Sequence, residues 1–399
     1  MRIVVVGNFG LYRKATMASR ALPIARELAR AGHSLTVVMP HEASPSALVP
    51  SDDNVRLISV RPPVRRSSVV GYLWHGLRIV WAVRWLRPDA VYLFKPIGFA
   101  GLTLFVFWAL RQARLTGAVI ALDTDDWEGK GGWADRDPHP AWERWVIAGQ
   151  ERWSLRHADV VTVASRALEQ LAAESGARAI YAPNAASPAS PGWAAAEGRP
   201  GQQPAGLPGA PTILAYTRFV EFCPGRLVDL LAATRARVPT ARLVVVGQGL
   251  RGEEREFARL ARERGLGDAA RVVGWVAPDR LPAYFAAADV AVYLLDDNLL
   301  NRTKCPMKLV DLLLAGVPVV ADDVGQAREY IRDGESGLLV TPGDVGAMAA
   351  QVARLLGNDS LRRRLGSAAR QNVLTSWTWA KQVASIDLAL ASARKSAGS

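Results

Sequence analysis

The sequence predicts an α/β protein made of two doubly wound domains, and three observations predict it. Apolar, β-branched runs alternate with helix-period segments along nearly the whole chain, the pattern of parallel sheets covered by helices. The alternation breaks once, at residues 185–211, where Pro, Gly, Ala and Ser dominate without any period, and then restarts. The chain has 399 residues, enough for two domains of ordinary size.

The first half opens with a strand over 3–6, a loop GNFGLYRK, a helix over 15–31 stopped by Gly32-His33, and a strand over 34–39. That is a βαβ unit, although its loop is not a GxGxxG fingerprint. Gly7 and Gly10 let a ligand approach the backbone, and Arg13 and Lys14 add positive charge. A strand over 54–60 and a basic, Pro-containing loop over 61–68 follow. The helix predicted over 69–86 is apolar but carries Arg78 and Arg84 together with Trp74, Trp81 and Trp85. Two readings stand for it: a surface that rests on a membrane, or a core-facing helix whose Arg side chains snorkel outward.

Strand 90–94, helix 98–115 and strand 118–122 lead to LDTDDWEGKGGWADRDPHP. Four acids, Asp123, Asp125, Asp126 and Glu128, crowd this loop beside Trp127 and Trp133. Like charges this close cost stability, so the loop calls for a cation, a sugar or an Arg nearby. An indole face beside carboxylates also suits a sugar ring; the alternative is a solvated acidic loop. Helix 141–157, strand 159–163, a helix to about 176 and strand 179–182 complete the first domain, which exits through Pro183-Asn184.

The second domain restarts with strand 212–216 and Thr217-Arg218-Phe219. Strand 242–246 closes on Gly247-Gln248-Gly249, a phosphate-compatible turn, and strand 271–274 leads to Trp275. A helix over 281–287 and a strand over 289–294 precede the most informative stretch, residues 303–344, TKCPMKLVDLLLAGVPVVADDVGQAREYIRDGESGLLVTPGD. Pro306 suits the first position of a helix whose apolar face is Met307, Val310, Leu313 and Leu314, and Gly316 ends it. A buried strand over 317–321, a small-residue loop over 322–326, a helix over 327–332 and a strand over 337–340 follow. Lys308 and Asp311, three apart, share a helix face beside the apolar stripe. A cation there suits a diphosphate and a carboxylate suits a pair of ribose or sugar hydroxyls; the alternative is a solvated Lys/Asp pair. Two helices run on to about 376 and a final helix covers 377–393.

Composition bounds the function. Half the residues are apolar and 22% are charged, so the chain is globular. Cys223 and Cys305 make no disulfide framework and stand in no metal-ligand spacing, which suits a reducing compartment. Net charge is +12, favouring nucleotide-sugars, acidic lipid surfaces or nucleic acid. No nucleic-acid motif or basic-aromatic repeat accompanies the charge, so no nucleic-acid partner is expected. The apolar run over 97–110 falls short of the roughly 20 residues a bilayer span needs. Residues 1–7 are too short for a leader. A cytoplasmic protein, peripheral on the inner face of a membrane, is the expectation.

The stretch 303–344 resembles the donor-site region of the GT-B glycosyltransferases, specifically the large retaining family 4. Asp311 stands where that family has the second of two Glu residues, and Gly316-Val317-Pro318-Val319-Val320 stands at its GxPVV. Gly325 and Glu329 match the loop, and Gly337-Leu338-Leu339-Val340 the ending. Arg218 matches an Arg that holds the donor diphosphate. The chain departs from the pattern at Thr303, in place of the first Glu, at Asp311, shorter than Glu, and at Cys223, where the family has a Lys; Arg226 or Lys304 would supply that charge.

The resemblance implies a GT-B fold, two Rossmann-like domains facing across a cleft. The first, residues 1–184, takes the acceptor; after the linker 185–211, the second, residues 212–376, takes a nucleotide-diphosphate sugar. The helix from 377 crosses back to the first. The implied reaction is glycosyl transfer with retention in cell-surface polysaccharide or glycolipid synthesis. For that reaction the residues expected to be catalytic are Arg218, at the matched position, with Lys304, Lys308 and Asp126 from the charged stretches read above. Gly10, Gly247, Trp275, Asp311 and Gly325 would bind the donor, and Arg13, Arg20, Asp125 and Trp127 the acceptor. The acceptor would be a sugar, a polysaccharide or a lipid-linked sugar. No cofactor and no metal are expected, since basic residues can neutralise the diphosphate. Two other readings stay open: a GT-B epimerase of a nucleotide-sugar, for which the five His residues form no evident cluster, and a nucleotide-sugar-binding protein without turnover.

Overall fold

Seven parallel strands make the first sheet: β1 (Arg2–Gly7), β2 (Ser34–Pro40), β3 (Val55–Val60), β4 (Ala90–Phe94), β5 (Val119–Thr124), β6 (Val160–Val163) and β7 (Ala179–Tyr181), in the order β3-β2-β1-β4-β5-β6-β7. Six more make the second: β8 (Thr212–Tyr216), β9 (Arg242–Val246), β10 (Ala270–Gly274), β11 (Val290–Tyr293), β12 (Val319–Asp322) and β13 (Leu338–Val340), in the order β10-β9-β8-β11-β12-β13. Both sheets reverse direction beside their first strand, which is the doubly wound topology. The computed structural model describes residues 1–11, 16–41, 54–62, 69–186 and 210–398. Arg13, Lys14, most of the basic loop and the linker over 187–209 lie outside the described residues.

The chain divides into two compact units. One holds Met1–Asn184, the short segment Thr303–Cys305 and the helix starting at Trp379; the other holds Ala185–Arg302 and Pro306–Thr378. In the first unit the helix Trp379–Gly398 packs on β5, β6 and the helix Leu22–Arg30. His33 Nε2 lies 2.7 Å from Asp387 Oδ1, and Arg394 donates 2.8 Å to the Gly117 carbonyl. The core of the second unit gathers Ile213, Leu227, Leu231, Val245, Phe257 and Val292 between its sheet and its helices.

Differences from the sequence reading have local causes. β5 runs on through Asp123 and Thr124, because both side chains are satisfied inside the unit; Asp123 belongs to the strand and not to the loop. β12 begins at Val319 and ends at Asp322, so Pro318, which lacks an N–H, stays outside the ladder. The helix Pro224–Arg235 was hidden by the unusual EFCPGR sequence, although Pro stands at its start. The helix Glu253–Glu263, absent from the sequence reading, is amphipathic but short of apolar residues, burying only Phe257 and Ala261. Between β1 and the helix Leu22–Arg30 the chain makes a π turn, Met17–Ala21. Gly7 is required there: a Cβ on it would lie 2.3 Å from Met17 Sδ.

Candidate functional sites at the carboxyl ends of the two sheets

In doubly wound folds ligands bind at the carboxyl ends of strands beside the reversal point, which is β1/β4 in the first unit. Arg20, carried on the π turn, is fully buried there. Its guanidinium grips Asp123 with two bonds of 2.7 Å and donates a third, of 3.1 Å, to Asn184 Oδ1. Asn184 in turn donates its side-chain N–H to the Cys305 carbonyl at 2.7 Å, and Ser165 Oγ donates to the Thr303 carbonyl at 2.7 Å. The Pro-Asn exit of the domain is thus a joint between Arg20 and the segment Thr303–Cys305. Thr162 Oγ1 donates 2.6 Å to Asp123, so this carboxylate is enclosed.

The acids that follow are held by Lys95, at the end of β4. Lys95 has left-handed backbone, φ 73°, uncommon for a residue with a Cβ. Its Nζ lies 2.6 Å from Glu128, 3.1 Å from Asp126 and 3.3 Å from Asp125. Burial alone would lower the Lys95 pKa, but Asp125, Glu128 and Asp126 raise it well above its usual value. Asp125 works against burial in the same way: Lys95 and Arg20 hold its carboxyl below the usual range. Thr16 Oγ1 donates 2.9 Å to Asp125 Oδ2, while Oδ1 accepts no hydrogen bond. Behind them Glu151 is fully buried; burial, with Glu128 close by, pushes its pKa up to about 8. It accepts 3.0 Å from the Glu128 N–H.

The acidic loop therefore does have the cation its charge demanded, in Lys95 and Arg20. Sequence reasoning missed Lys95 because it stands far upstream; the Lys-Pro pair directly after a buried strand was the available signal. Two acceptor expectations are corrected. Arg20 has no exposed surface and its three donors face Asp123 and Asn184. The Trp127 ring is buried and its Nε1 donates 2.9 Å to the Lys130 carbonyl, so it packs the loop and offers no open face. Asp126 stays partly exposed, and Trp133 is half-buried with Lys304 Nζ 5.6 Å from its ring. Lys304 belongs to the first unit, together with Thr303, which is fully buried. Gly10 is buried in the loop after β1.

In the second unit the corresponding place is the carboxyl end of β8, at the β8/β11 reversal. Tyr216 ends β8 and is flanked by charge. Lys308 Nζ lies 5.4 Å from its ring centre. Burial raises the phenol's pKa, Asp311 adds to the rise and Arg218 opposes it, so all three charges are within electrostatic reach. Asp311 is half-buried; burial pushes its pKa up to about 7, against the pull of Lys308. Arg218 makes no hydrogen bond or ion pair among the described residues. Beneath them a cavity of about 10 Å³ is lined by Tyr216, Thr217, Glu221, Tyr293 and Lys308. Arg218, after β8, is thus brought near Lys308 and Asp311, which share the helix Met307–Leu314.

The remaining donor expectations fare differently. The Gly247 N–H already donates 2.7 Å to the Gly274 carbonyl, and the Gly249 N–H donates 3.0 Å to Glu254, so this turn holds the chain's own carboxylate. Gly247 is needed for another reason: at φ 124° a Cβ would lie 1.8 Å from the Thr217 carbonyl. Arg226 is committed to Asp296 at 2.6 Å and Asp322 at 2.8 Å and is not the substitute for the missing Lys. Trp275 is mostly exposed beyond β10, two strands, or about 10 Å, from β8. Gly325, φ 53°, lets the loop after β12 pass the Asn301 and Arg302 carbonyls, where a Cβ would lie 2.9 and 2.8 Å away.

Comparison with known proteins agrees with this layout. Residues 210–358 match the family model "Glycosyl transferases group 1", and residues 15–185 match "Glycosyl transferase 4-like domain". A GDP-mannose-dependent alpha-(1-6)-phosphatidylinositol monomannoside mannosyltransferase of Mycobacterium tuberculosis is 34% identical over 172 residues, 42% of this chain and 44% of that protein. A 2-deoxystreptamine glucosyltransferase of Streptomyces kanamyceticus is 31% identical over 56% of each. The chain spans about half the length of the curated relatives it matches. Among solved structures, Anabaena HepE in complex with UDP and glucose aligns over 98% of this chain and 100% of its own, with TM-score 0.72 and 17% identity. Two parallel-sheet units of this topology, with both halves matching, place the chain among the group 1 glycosyl transferases of family 4, with the GT-B fold.

Proposed function

We propose that the protein transfers a hexose from a nucleotide-diphosphate sugar to a hydroxyl of a sugar, polysaccharide or lipid-linked acceptor, with retention at the anomeric carbon. The observation that carries this is the cluster of Arg218, Lys308 and Asp311 around Tyr216, at the carboxyl end of β8. In such a transfer the glycosidic carbon becomes cationic as the diphosphate leaves. The barrier falls when fixed cations meet the departing oxygens, worth a few kcal/mol for one well-placed donor. Arg218, with no carboxylate partner of its own, can present its planar fork to two phosphate oxygens. Lys308 adds a point charge from the start of its helix. Asp311, as a carboxylate, accepts from the paired hydroxyls of the ribose. The basic pair makes a metal ion unnecessary for charge balance.

In the first unit, Asp126 is the more exposed of the two partly exposed acids beside Lys95, and it would accept from an acceptor hydroxyl. Relatives named for mannosyl and glucosyl transfer support a hexose, and those named for phosphatidylinositol mannoside and lipopolysaccharide core support an envelope glycoconjugate as acceptor. The test is incubation with UDP-, GDP- and ADP-hexoses, reading release of the nucleotide diphosphate and the anomeric configuration of the product. Arg218→Ala should lower turnover about a hundredfold while leaving the fold intact. Wild type that binds a nucleotide-sugar but neither transfers nor hydrolyses it refutes the proposal, and an inverted product refutes retention.

A further inference from the structure

The helix Val69–Trp85 is inside out. Its buried side is His75, Gly76, Ile79, Val80 and Val83, lying against β2, β3 and the helix Gly98–Gln112. Its outward side is also apolar: Val70, Trp74, Leu77, Trp81 and Trp85 follow one another at helical spacing, and the three indoles are 57%, 67% and 74% exposed. Trp81 and Trp85 stack on each other, ring centres 5.5 Å apart, and both remain mostly exposed. This stripe does not stand alone. Tyr72 stacks on Phe99 of the neighbouring helix and lies within electrostatic reach of Glu143, at the start of the helix Ala141–His157. That helix start exposes Trp142, Trp145 and Val146. Most of the large apolar side chains exposed among the described residues thus fall on three helices of one unit, Val69–Trp85 and Ala141–His157 each packing on Gly98–Gln112.

The charge on these helices is one-sided. Neither Val69–Trp85 nor Gly98–Gln112 contains an acid, and Arg78, Arg84, Arg87 and Arg114 sit on or just beyond them. Arg84 donates 3.3 Å to the Leu115 carbonyl, fixing its head beside the Trp stripe. Glu143 is the acid facing this surface, with His139 3.1 Å from it. An apolar, Trp-rich patch of this size on a soluble unit marks an interaction surface. A protein partner would meet a centre depleted of charge. Arg side chains interleaved with indoles fit a headgroup region better, where rings sit at the water boundary and cations meet phosphates.

We infer that this face docks on an anionic lipid bilayer, lying in the interface with Trp74, Trp81 and Trp85 as anchors and Arg78 and Arg84 on lipid phosphates. No helix among the described residues is long and apolar enough to cross a membrane, so the contact is with the surface. The inference does not depend on the transfer reaction.

The test is co-flotation of the full chain with vesicles of phosphatidylcholine alone or with about 30% phosphatidylglycerol. The full chain should float with the anionic vesicles, bind the neutral ones at least about tenfold more weakly, and be released by high salt. Trp81→Ser/Trp85→Ser and Arg78→Glu/Arg84→Glu should each lower binding at least about tenfold. Their melting temperatures should stay within a few degrees of wild type, because all four side chains are exposed and the Arg pair gives up only single bonds to the Arg61 and Leu115 carbonyls. Equal binding of wild type and both variants overturns the inference. So does wild type that stays off the vesicles while light scattering shows a dimer that the Trp variant dissolves, since the face would then belong to a second copy.

Discussion

Replacing Glu151 by Gln should make the first unit more stable, and increasingly so as pH rises. Glu151 sits fully buried on the helix Ala141–His157, with Oε1 accepting from the Glu128 N–H and Oε2 accepting no hydrogen bond. Burial, reinforced by Glu128, lifts its pKa from 4.5 to about 8, while backbone N–H groups and Lys95 pull the other way. The sign follows directly. An acid whose folded pKa is raised contributes its full stability below pH 4.5, and that contribution is lost as pH rises through about 8. The whole loss is ~5 kcal/mol at about 1.4 kcal/mol per pKa unit, and roughly half of it falls between pH 6 and 9. Gln keeps the acceptor for Glu128 and cannot ionise. Urea unfolding of wild type and Glu151→Gln, followed by Trp fluorescence from pH 6 to 9, should show the variant's advantage growing by about 2–3 kcal/mol. A gap that stays constant across that range means Glu151 is already ionised in the folded state at pH 6, so its pKa is not raised, and the reasoning fails.

Gly247→Ala should destabilise the second unit by about 3 kcal/mol or more, because it combines strained backbone with a 1.8 Å clash on the Thr217 carbonyl; denaturant unfolding measures it. Arg226→Met should cost about 3–5 kcal/mol in the same assay, since it leaves Asp322 buried without its cation. A loss under about 1 kcal/mol would show that the Leu295 and Gly343 N–H groups suffice for Asp322. Asp311, lifted by burial to about 7, is neutral below that pH and a carboxylate above it. Donor affinity should therefore rise as pH passes upward through 7, and Asp311→Asn should both weaken it and remove the pH dependence. Calorimetric titration with the nucleotide-sugar at pH 6 and 8 decides this; an Asn variant that keeps the wild-type pH profile places the titration elsewhere.

Much of the fold was legible because its signals are local. Buried strands such as Ala90–Phe94 and Thr212–Tyr216 are short apolar runs bounded by breakers, and their bounds agree with those read from the sequence. The restart at Thr212 showed through composition alone. Two helices of the second unit were not read from the sequence: Pro224–Arg235, which starts within the unusual EFCPGR stretch, and Glu253–Glu263, whose few apolar residues stand among Arg and Glu. Of the site, Arg218 and Asp311 came from matched motif positions and Lys308 from its spacing to Asp311 on one helix face; all three stand around Tyr216 at the end of β8. Lys95 and Glu151 did not come through as partners of the acidic loop, nor Asn184 as a partner of Arg20. Their roles depend on which strand lies beside which, and sequence distance hides this.

The misread charges share one cause, and the topology exposes it. Arg20 follows β1 and reaches Asp123 near the end of β5; Arg226 follows β8 and reaches Asp322 at the end of β12. In their sheets β5 and β12 occupy the same place, two strands from β1 and β8 on the same side of the reversal. Each unit thus builds one device. A guanidinium from the first helical segment crosses the carboxyl edge of the sheet and locks an interior carboxylate two strands away. Arg suits this better than Lys, because its fork satisfies both carboxylate oxygens in one plane. Seen only as sequence, both halves look functional: an Arg after a loop and an Asp at a strand end, where ligands bind. The lock instead fixes the edge on which Asp125, Asp126 and Lys95 stand in one unit and the Asp322–Gln326 loop in the other. In this fold a charged residue at the carboxyl edge is a ligand candidate only after the opposite charge two strands away has been accounted for. Arg218 passes that test, and Arg20 and Arg226 do not.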